Sequence, residues 1–239
     1  MEASLSAPLG PDALAALARL DTPTVCNALE LILPERRARG FNRKPLVAPI
    51  PTMKPVVGYA RTVMIRSREP HPRSKDEART KRLRYYEDIA RTPLPSLCVM
   101  QDVDGADAGF GCFWGEVQSN LHKALGCAGV VTDGAVRDID AWAEGFFVLA
   151  GAVMPSHAHV DIVDFGITVS VAGMIVSPDD IVHADRHGAV VIPREAAPKV
   201  AEAADLLTRR EKVVLDACRA PGFRAADLAS IFARMDEIH

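Results

Sequence analysis

The sequence has no apolar run long enough to span a bilayer, which excludes a protein threaded through a membrane by its helices. It also has no surplus of positive charge: 28 lysines and arginines stand against 31 aspartates and glutamates, a formal net charge of −3. Nothing global attracts a polyanion, so binding to nucleic acid would need a local basic patch and is not expected. The five cysteines, Cys26, Cys98, Cys112, Cys127 and Cys218, are odd in number, and none has the close spacing of a zinc knuckle or a redox pair. Cys98 and Cys127 sit inside apolar runs, where a thiol acts as a small hydrophobe. Reduced, structural cysteines in a reducing compartment are therefore expected. Met1–Pro8 lacks the basic-then-apolar build of a signal peptide, and cytoplasm is the expected location. No early strand leads into a glycine-rich nucleotide loop, which argues against a methyltransferase.

What remains is a chain of 239 residues, 49% apolar and 25% charged, with the profile of a soluble globular protein. Pro11–Leu20 reads as a short amphipathic helix, and Asp21-Thr-Pro caps a second one running to Leu33. Residues 34–55, rich in proline and basic side chains, read as an irregular connection. Val56–Ile65 and Ser96–Met100 read as strands, the latter ending in an acidic loop, 101–111. Gly115–Leu125 is expected to be a helix, Gly129–Thr132 a buried strand, Ile139–Glu144 a helix and Phe146–Leu149 a strand. From Gly166 to Pro193 strands dominate: 167–171, 174–176, 180–183 and 189–192, with turns at Gly173, Pro178-Asp179 and Gly188. A long helix over 194–220 and a short one over 225–238 close the chain. Strands in the middle and helices at both ends argue for one α/β domain.

The most informative stretch runs from Gly115 to Asp138. A glycine-led helix start at Gly115-Glu116-Val117-Gln118 offers free backbone N–H groups to an anion. Arg137 offers a rigid two-pronged donor matched to a carboxylate. Asp138 offers hard oxygen ligands to a divalent cation. Together these describe a pocket for a small carboxylic acid held on a metal. The plainer reading of Arg137-Asp138 is a surface pair capping a helix. Asp133 reads as a turn residue in Asp-Gly, and Asp140 as either close to the site or merely exposed.

Gly115-Glu116, the block Gly126-Cys-Ala-Gly-Val-Val-Thr-Asp-Gly-Ala-Val-Arg-Asp138 and the block Pro178-Asp-Asp-Ile-Val-His-Ala-Asp-Arg-His-Gly-Ala-Val-Val-Ile-Pro193 resemble the RraA-like family over roughly residues 20–205. That family includes divalent-metal-dependent 4-hydroxy-4-methyl-2-oxoglutarate aldolases that also decarboxylate oxaloacetate. It includes as well the RraA proteins that bind and inhibit RNase E. The resemblance implies a single-domain α/β/β/α sandwich similar to the swivelling phosphohistidine domain. It implies a homotrimer or homohexamer with the site between subunits, the C-terminal helices (about 194–238) lying at that interface. It puts substrate on Gly115, Glu116, Val117, Gln118 and Arg137, the metal (Mg²⁺ or Mn²⁺) on Asp138, and catalysis on Glu116, Arg137 and Asp138. Glu116 stands where the aldolases usually carry aspartate, and Pro178-Asp179-Asp180 and His187 also depart from the family pattern. Glu202, Asp205, Glu211 and Asp216 are possible contributions to a neighbouring subunit's pocket.

The chemistry so implied is cleavage of a small 4-hydroxy- or 4-carboxy-2-oxo acid. Both aldol cleavage and decarboxylation leave the enolate of pyruvate, whose charge a cation stabilises as a Lewis acid. Aldol cleavage also needs a base for the substrate hydroxyl, and Glu116 or water beside it is the first candidate. His157 and His159, two apart, would share one face of a strand and read as structural or supporting groups. His183 and His187 flank Asp185 in an expected hairpin and read as a solvated turn. Lys123 reads as solvated rather than as the desolvated amine a Schiff-base aldolase needs. The charged segment 66–91, with Tyr85 and Tyr86, reads as a salt-bridged helix face. It is longer than in compact family members, which would suit a lid or an interface arm.

Overall fold

Strand β1 (Val56–Arg66) is buried along almost its whole length, Arg61 and Thr62 included, as a strand covered on both faces is. It is central in the computed structural model, which describes residues 8–239. Met1–Ala7, within the stretch read above for a leader, lies outside the described residues. Helices α1 (Pro11–Leu17) and α2 (Thr22–Ile32) precede β1. Then come α3 (Lys75–Ala90), β2 (Ser96–Asp102), β3 (Cys112–Trp114), α4 (Glu116–Ala124), β4 (Cys127–Thr132), β5 (Ala135–Val136), β6 (Phe147–Leu149) and β7 (Ala152–Val153). The remainder is β8 (Asp161–Phe165), β9 (Val169–Val171), β10 (Met174–Val176), β11 (Ile181–Asp185), β12 (Gly188–Ile192), α5 (Ala197–Arg219) and α6 (Leu228–Asp236).

The main sheet has the order β12-β11-β1-β2-β4-β6. β1, β2, β4 and β6 are parallel, while β11 and β8 run antiparallel along successive halves of one edge of β1. Side chains alternate across β1. Val57 and Tyr59 join Leu14, Leu17, Val25, Leu29 and Val200 under α1, α2 and α5. Val63 and Ile65 join Tyr85, Trp114 and Phe146 under α3 and α4. Val56 and Ala60, on the opposite face, pack with Val169, Val171, Met174 and Val176 of the β9–β10 hairpin. Sheet, hairpin and helices thus form the α/β sandwich expected from the sequence.

Several elements depart from the expectation. Residues 139–144 form only one 3-10 turn, Ile139–Ala141. Asp138 enters it in the left-handed region (φ 55°, ψ 42°) and Trp142 leaves it extended, because Trp142 Nε1 donates to the Phe146 carbonyl and Ala143 N to Ser119 Oγ. His157 and His159 lie in a turn between β7 and β8 rather than on a strand, so they share no strand face. His183 is buried, its ring nitrogens 3.1 Å from Thr22 Oγ1 and 3.1 Å from the Leu20 carbonyl. Asp185 is buried too and accepts from Thr22 N. That hairpin exists, but of the three only His187 at its end is exposed, because the start of α2 packs onto His183 and Asp185. Short strands β3, β5 and β7 have no periodicity to read. They matter most for the site.

Candidate functional site

β3, β5 and β7 form a small parallel sheet in which Trp114 pairs with Val136 and Val136 with Val153. Chain segments that leave parallel strands at their carboxyl ends converge, and such ends are where open α/β sheets bind ligands. Here they deliver Gly115 after β3, Arg137 and Asp138 after β5, and the turn carrying His157 after β7. Arg137 N donates to the Trp114 carbonyl at 3.0 Å, locking the first two exits together.

Gly115 begins α4 with extended backbone (φ −170°) that any residue could adopt. What requires glycine is space: a Cβ there would stand 2.5 Å from Asp138 Oδ2 and 3.2 Å from Arg137 Cγ. Asp138 Oδ2 in turn lies 3.3 Å from Glu116 N, which donates to it, and 3.4 Å from Arg137 Nε. Val117 and Gln118 follow at the positions of the first turn whose N–H groups have no helical partner. Asp138 holds a left-handed conformation that aspartate tolerates better than most residues but at a cost of about 1–2 kcal/mol. Strain of this kind persists where surrounding structure over-determines it, often at functional sites.

A cavity of about 270 Å³ opens on one side of the Arg137–Asp138 pair, lined by Gly115, Val117, Gln118, Arg137 and Asp138 together with Arg82, His157 and Asp161. Five of the six residues expected from the sequence therefore meet in one space. Glu116 does not line it. Its side chain, exposed, borders a more open depression on the other side of the same pair, with Asp140, Val153 and Met154. Asp133 faces neither: it is tied to Asp102 N and Ala172 N, as a turn residue would be. Lys123 is exposed and donates to the Glu144 carbonyl. Asp138 does not cap the turn it enters, but its side chain accepts from Glu116 N at the start of α4.

The wall facing α4 is α3, whose flanking charges pair mainly with other elements rather than along the helix, Asp88–Arg91 excepted. Just before it, Arg73 reaches the Asp161 carboxylate and donates to the Ile162 carbonyl at 2.8 Å, while His71 Nε2 lies 3.1 Å from Asp161 Oδ1. Lys81 donates to the Val163 carbonyl. Just after it, Arg91 joins Asp88 and Asp179. Both ends are thereby stapled to β8 and to the β10–β11 turn, which describes a fixed wall rather than a free lid. One turn apart on this wall, Arg82 lines the cavity and the Tyr86 hydroxyl donates to Gln118 Oε1 at 3.0 Å. Arg82 is exposed and has no hydrogen-bond or ion-pair partner among the described residues. Nothing in the sequence singles Arg82 out, since an arginine among many in a charged helix carries no distinguishing pattern.

Beneath the wall lies His122, buried among Tyr85, Phe113, Trp114 and Phe146. Its Nδ1 is 2.7 Å from the Gln118 carbonyl and its Nε2 2.7 Å from Tyr85 Oη. A carbonyl only accepts, so Nδ1 carries the proton and Tyr85 donates to Nε2. With the hydroxyl's one hydrogen used, the Cys98 thiol, 3.5 Å away, donates to Tyr85. In this arrangement His122 is neutral, and burial pushes its pKa down to about 4. Burial likewise raises the Cys98 thiol and the Tyr85 hydroxyl well above their ordinary values. This network braces the first turn of α4; it is not itself open to a ligand.

Among the described residues no three acidic, histidine or cysteine side chains converge on one ion position. Asp138, the residue the resemblance puts on a metal, has its side chain 40% exposed, with Oδ2 shared as above and Oδ1 without a protein partner. A single exposed carboxylate does not suit zinc, which takes three or four protein ligands. It does suit Mg²⁺ or Mn²⁺, which retain several waters and complete their shell with substrate oxygens.

Fold and site together define an α/β protein with a small polar cavity, lined by Arg82, Arg137, Asp138 and Asp161, at the carboxyl ends of parallel strands. The chain belongs to the RraA-like family, whose sequence model, described as Aldolase/RraA, matches residues 22–191. It is 35% identical over 103 residues to an uncharacterized protein of Methanocaldococcus jannaschii, covering 42% of this chain and 50% of that one. It is 32% identical over 82 residues to a Halalkalibacterium halodurans protein provisionally named a 4-hydroxy-4-methyl-2-oxoglutarate aldolase, covering 34% of this chain and 39% of that one. The matches thus span half or less of these curated relatives. The fold is shared with Streptomyces coelicolor RraAS2, described as an unusual member of the RNase ES inhibitor RraA family (TM-score 0.66, 23% identity, 86% of this chain and 96% of that one). It is also shared with an uncharacterized protein of Pseudomonas syringae pv. tomato (TM-score 0.66, 20% identity, 90% and 96%).

Proposed function

We propose that the protein is a divalent-metal-dependent carbon–carbon lyase that cleaves a small 4-hydroxy- or 4-carboxy-2-oxo acid and releases pyruvate. The observation that carries this reading is the convergence of Gly115, Val117, Gln118, Arg137 and Asp138 on one cavity. A helix start, a guanidinium and a partly free carboxylate are the three parts needed to hold a 2-oxo acid beside a cation. The relative named as an aldolase and the Aldolase/RraA family match support it.

In this mechanism Asp138 would hold the cation, and a Mg²⁺ or Mn²⁺ bound there would supply Lewis-acid stabilisation for charge on the substrate's keto oxygen. Arg137 and the N–H groups of Val117 and Gln118 bind and orient the substrate's first carboxylate. Arg137 sits beside Asp138, 3.4 Å from its carboxylate, and its backbone bond to Trp114 holds that part of the chain against β3. Arg82, across the cavity on α3, meets the second carboxylate of a dicarboxylic substrate. Gln118, oriented by Tyr86, lines the space between. Glu116 keeps an accessory role: its backbone N–H aligns Asp138, while its carboxylate faces the open depression. Assembly into a homotrimer or homohexamer belongs to the same reading. It would cover Val117, Val153 and Met154, which are exposed around the site, and would bring α5 and α6 to an interface.

The test is pyruvate release from oxaloacetate and from 4-hydroxy-4-methyl-2-oxoglutarate, coupled to lactate dehydrogenase, with Mg²⁺ and with excess chelator. Release above the metal-only background that disappears with chelator is the expected result. No release from either substrate would overturn both activities and bring forward stoichiometric binding to RNase E as the next measurement.

A further inference from the structure

We infer that His157 is the proton-transfer residue of this site, an inference that rests on the lyase reading above. It lines the cavity with Arg137 and Asp138, and Nδ1 lies 3.1 Å from the Cys112 carbonyl. That carbonyl can only accept, so the proton of neutral His157 resides on Nδ1 and Nε2 carries the basic lone pair. Nε2 has no partner among the described residues. The imidazole is thus anchored at one nitrogen and open at the other, the arrangement of a general base. His122 differs in having both nitrogens committed.

The turn that carries His157 is pinned to an unusual degree. Cys112 N donates to the Ser156 carbonyl at 2.9 Å, Ala158 N to Ser156 Oγ at 3.0 Å, Val160 N to the His157 carbonyl at 3.1 Å and His159 N to the Ser67 carbonyl at 2.9 Å. Ala158 takes φ 48°, a strained value for a residue with a Cβ. Gly111 leaves no room for a side chain against the His157 carbonyl. These bonds present the ring; none of them uses Nε2. The charged and titratable groups facing it are Arg82 of α3, Arg137 and Asp138 after β5, and Asp161 of β8, with Cys112 beneath.

For a 4-hydroxy-2-oxo acid, Nε2 takes the proton of the C4 hydroxyl. The C4–O bond becomes a carbonyl as the C3–C4 bond breaks, and the electron pair passes through C3 and C2 to the keto oxygen. Nε2–H then returns the proton to C3, giving pyruvate and a neutral imidazole, with no other reactant consumed. Oxaloacetate has no hydroxyl proton to lose, since its C4 leaves as carbon dioxide and only C3 needs a proton, which water can supply.

The experiment compares wild type with His157→Asn, whose side-chain amide can still donate to the Cys112 carbonyl but lacks Nε2, and with His157→Gln. The expected result is a fall in kcat for aldol cleavage of about 10²–10³-fold, with KM within about threefold and decarboxylation reduced less than tenfold. Equal losses on both substrates, or aldol cleavage unaffected by His157→Asn, would overturn the assignment. Independently of turnover, ¹⁵N NMR of the His157 ring should show the Nδ1–H form and a shift of Nε2 when oxalate and Mg²⁺ are added. If wild type releases no pyruvate the lyase reading fails, and an unperturbed Nε2 in that titration would remove His157 as a ligand-facing group as well.

Discussion

The two sides of the Arg137–Asp138 pair differ in almost every physical respect. On one side is a cavity walled by α3 and α4, with cations at opposite walls and His157 at its rim. On the other is an open depression bordered by Glu116 and Asp140, with exposed Val153 and Met154. A carboxylate in the open depression is solvated and screened, so its effect on a reacting group is weak. Groups in the walled cavity act at closer quarters and with fixed orientation. The difference teaches that neighbours in sequence need not share a site: Gly115, Val117 and Gln118 face one side and Glu116 the other.

The sharpest way to break the comparison is to remove the group both sides share. Arg137→Ala should lower kcat/KM for pyruvate release by about 10²–10³-fold, with thermal melting showing an intact fold. Gly115→Ala comes next. Its methyl must displace Asp138 while the backbone stays unstrained, and a shift of that size should reduce kcat about a hundredfold with little change in the melting temperature.

The buried histidine offers an effect of similar size in stability. His122 stays neutral in the folded chain down to about pH 4, whereas unfolded it takes a proton near 6.5. The unfolded state binds more protons in that window. Its contribution is therefore fully present above pH 6.5 and is lost as pH falls toward 4, by up to about 3 kcal/mol. Asp102 works in the opposite sense. Burial raises its pKa from 3.8 to about 6, so its contribution is greatest at low pH and is lost as pH rises through 6. Denaturant titrations of wild type and His122→Gln between pH 7 and 4 should show the acid-side loss flattened in the variant.

Smaller effects sharpen the contrast between the two sides. Arg82→Ala should raise KM for a dicarboxylic substrate about tenfold, a loss of roughly 1.4 kcal/mol, while kcat holds. Steady-state kinetics with oxaloacetate would check it, and an unchanged KM would remove α3 from substrate recognition. Glu116→Gln should change kcat by less than about threefold, since the backbone N–H that aligns Asp138 survives. A loss comparable with that of Arg137→Ala would return the catalytic base to the open side.

Much of this was legible in the sequence, and the reasons for what was not are physical. The Gly115–Gln118 helix start and the Arg137-Asp138 pair stood out through the family resemblance, since spacing alone left a surface cap as the plainer reading of the pair. The long strands and helices could be read from apolar runs and caps, as with Asp21, which accepts from Thr24 N at 2.8 Å. β3, β5 and β7 could not, since two or three residues hold no period, yet they bring the site together. The side of the site that Glu116 faces depends on its rotation about α4, which spacing alone leaves open. His157 was read as a strand residue because alternation was the only pattern available, whereas its placement depends on hydrogen bonds to Cys112 and Ser67 from distant parts of the chain. Arg82 and the burial of His183 likewise depend on which helix packs where.

The most direct measurement of the central claim is metal-dependent pyruvate release by Asp138→Ala beside wild type, over a range of Mg²⁺ and Mn²⁺ concentrations, with circular dichroism to establish that both are folded. The account predicts that wild type saturates with metal while the variant, though folded, stays at the metal-only background at every concentration. A folded Asp138→Ala protein with wild-type turnover and metal dependence would contradict it.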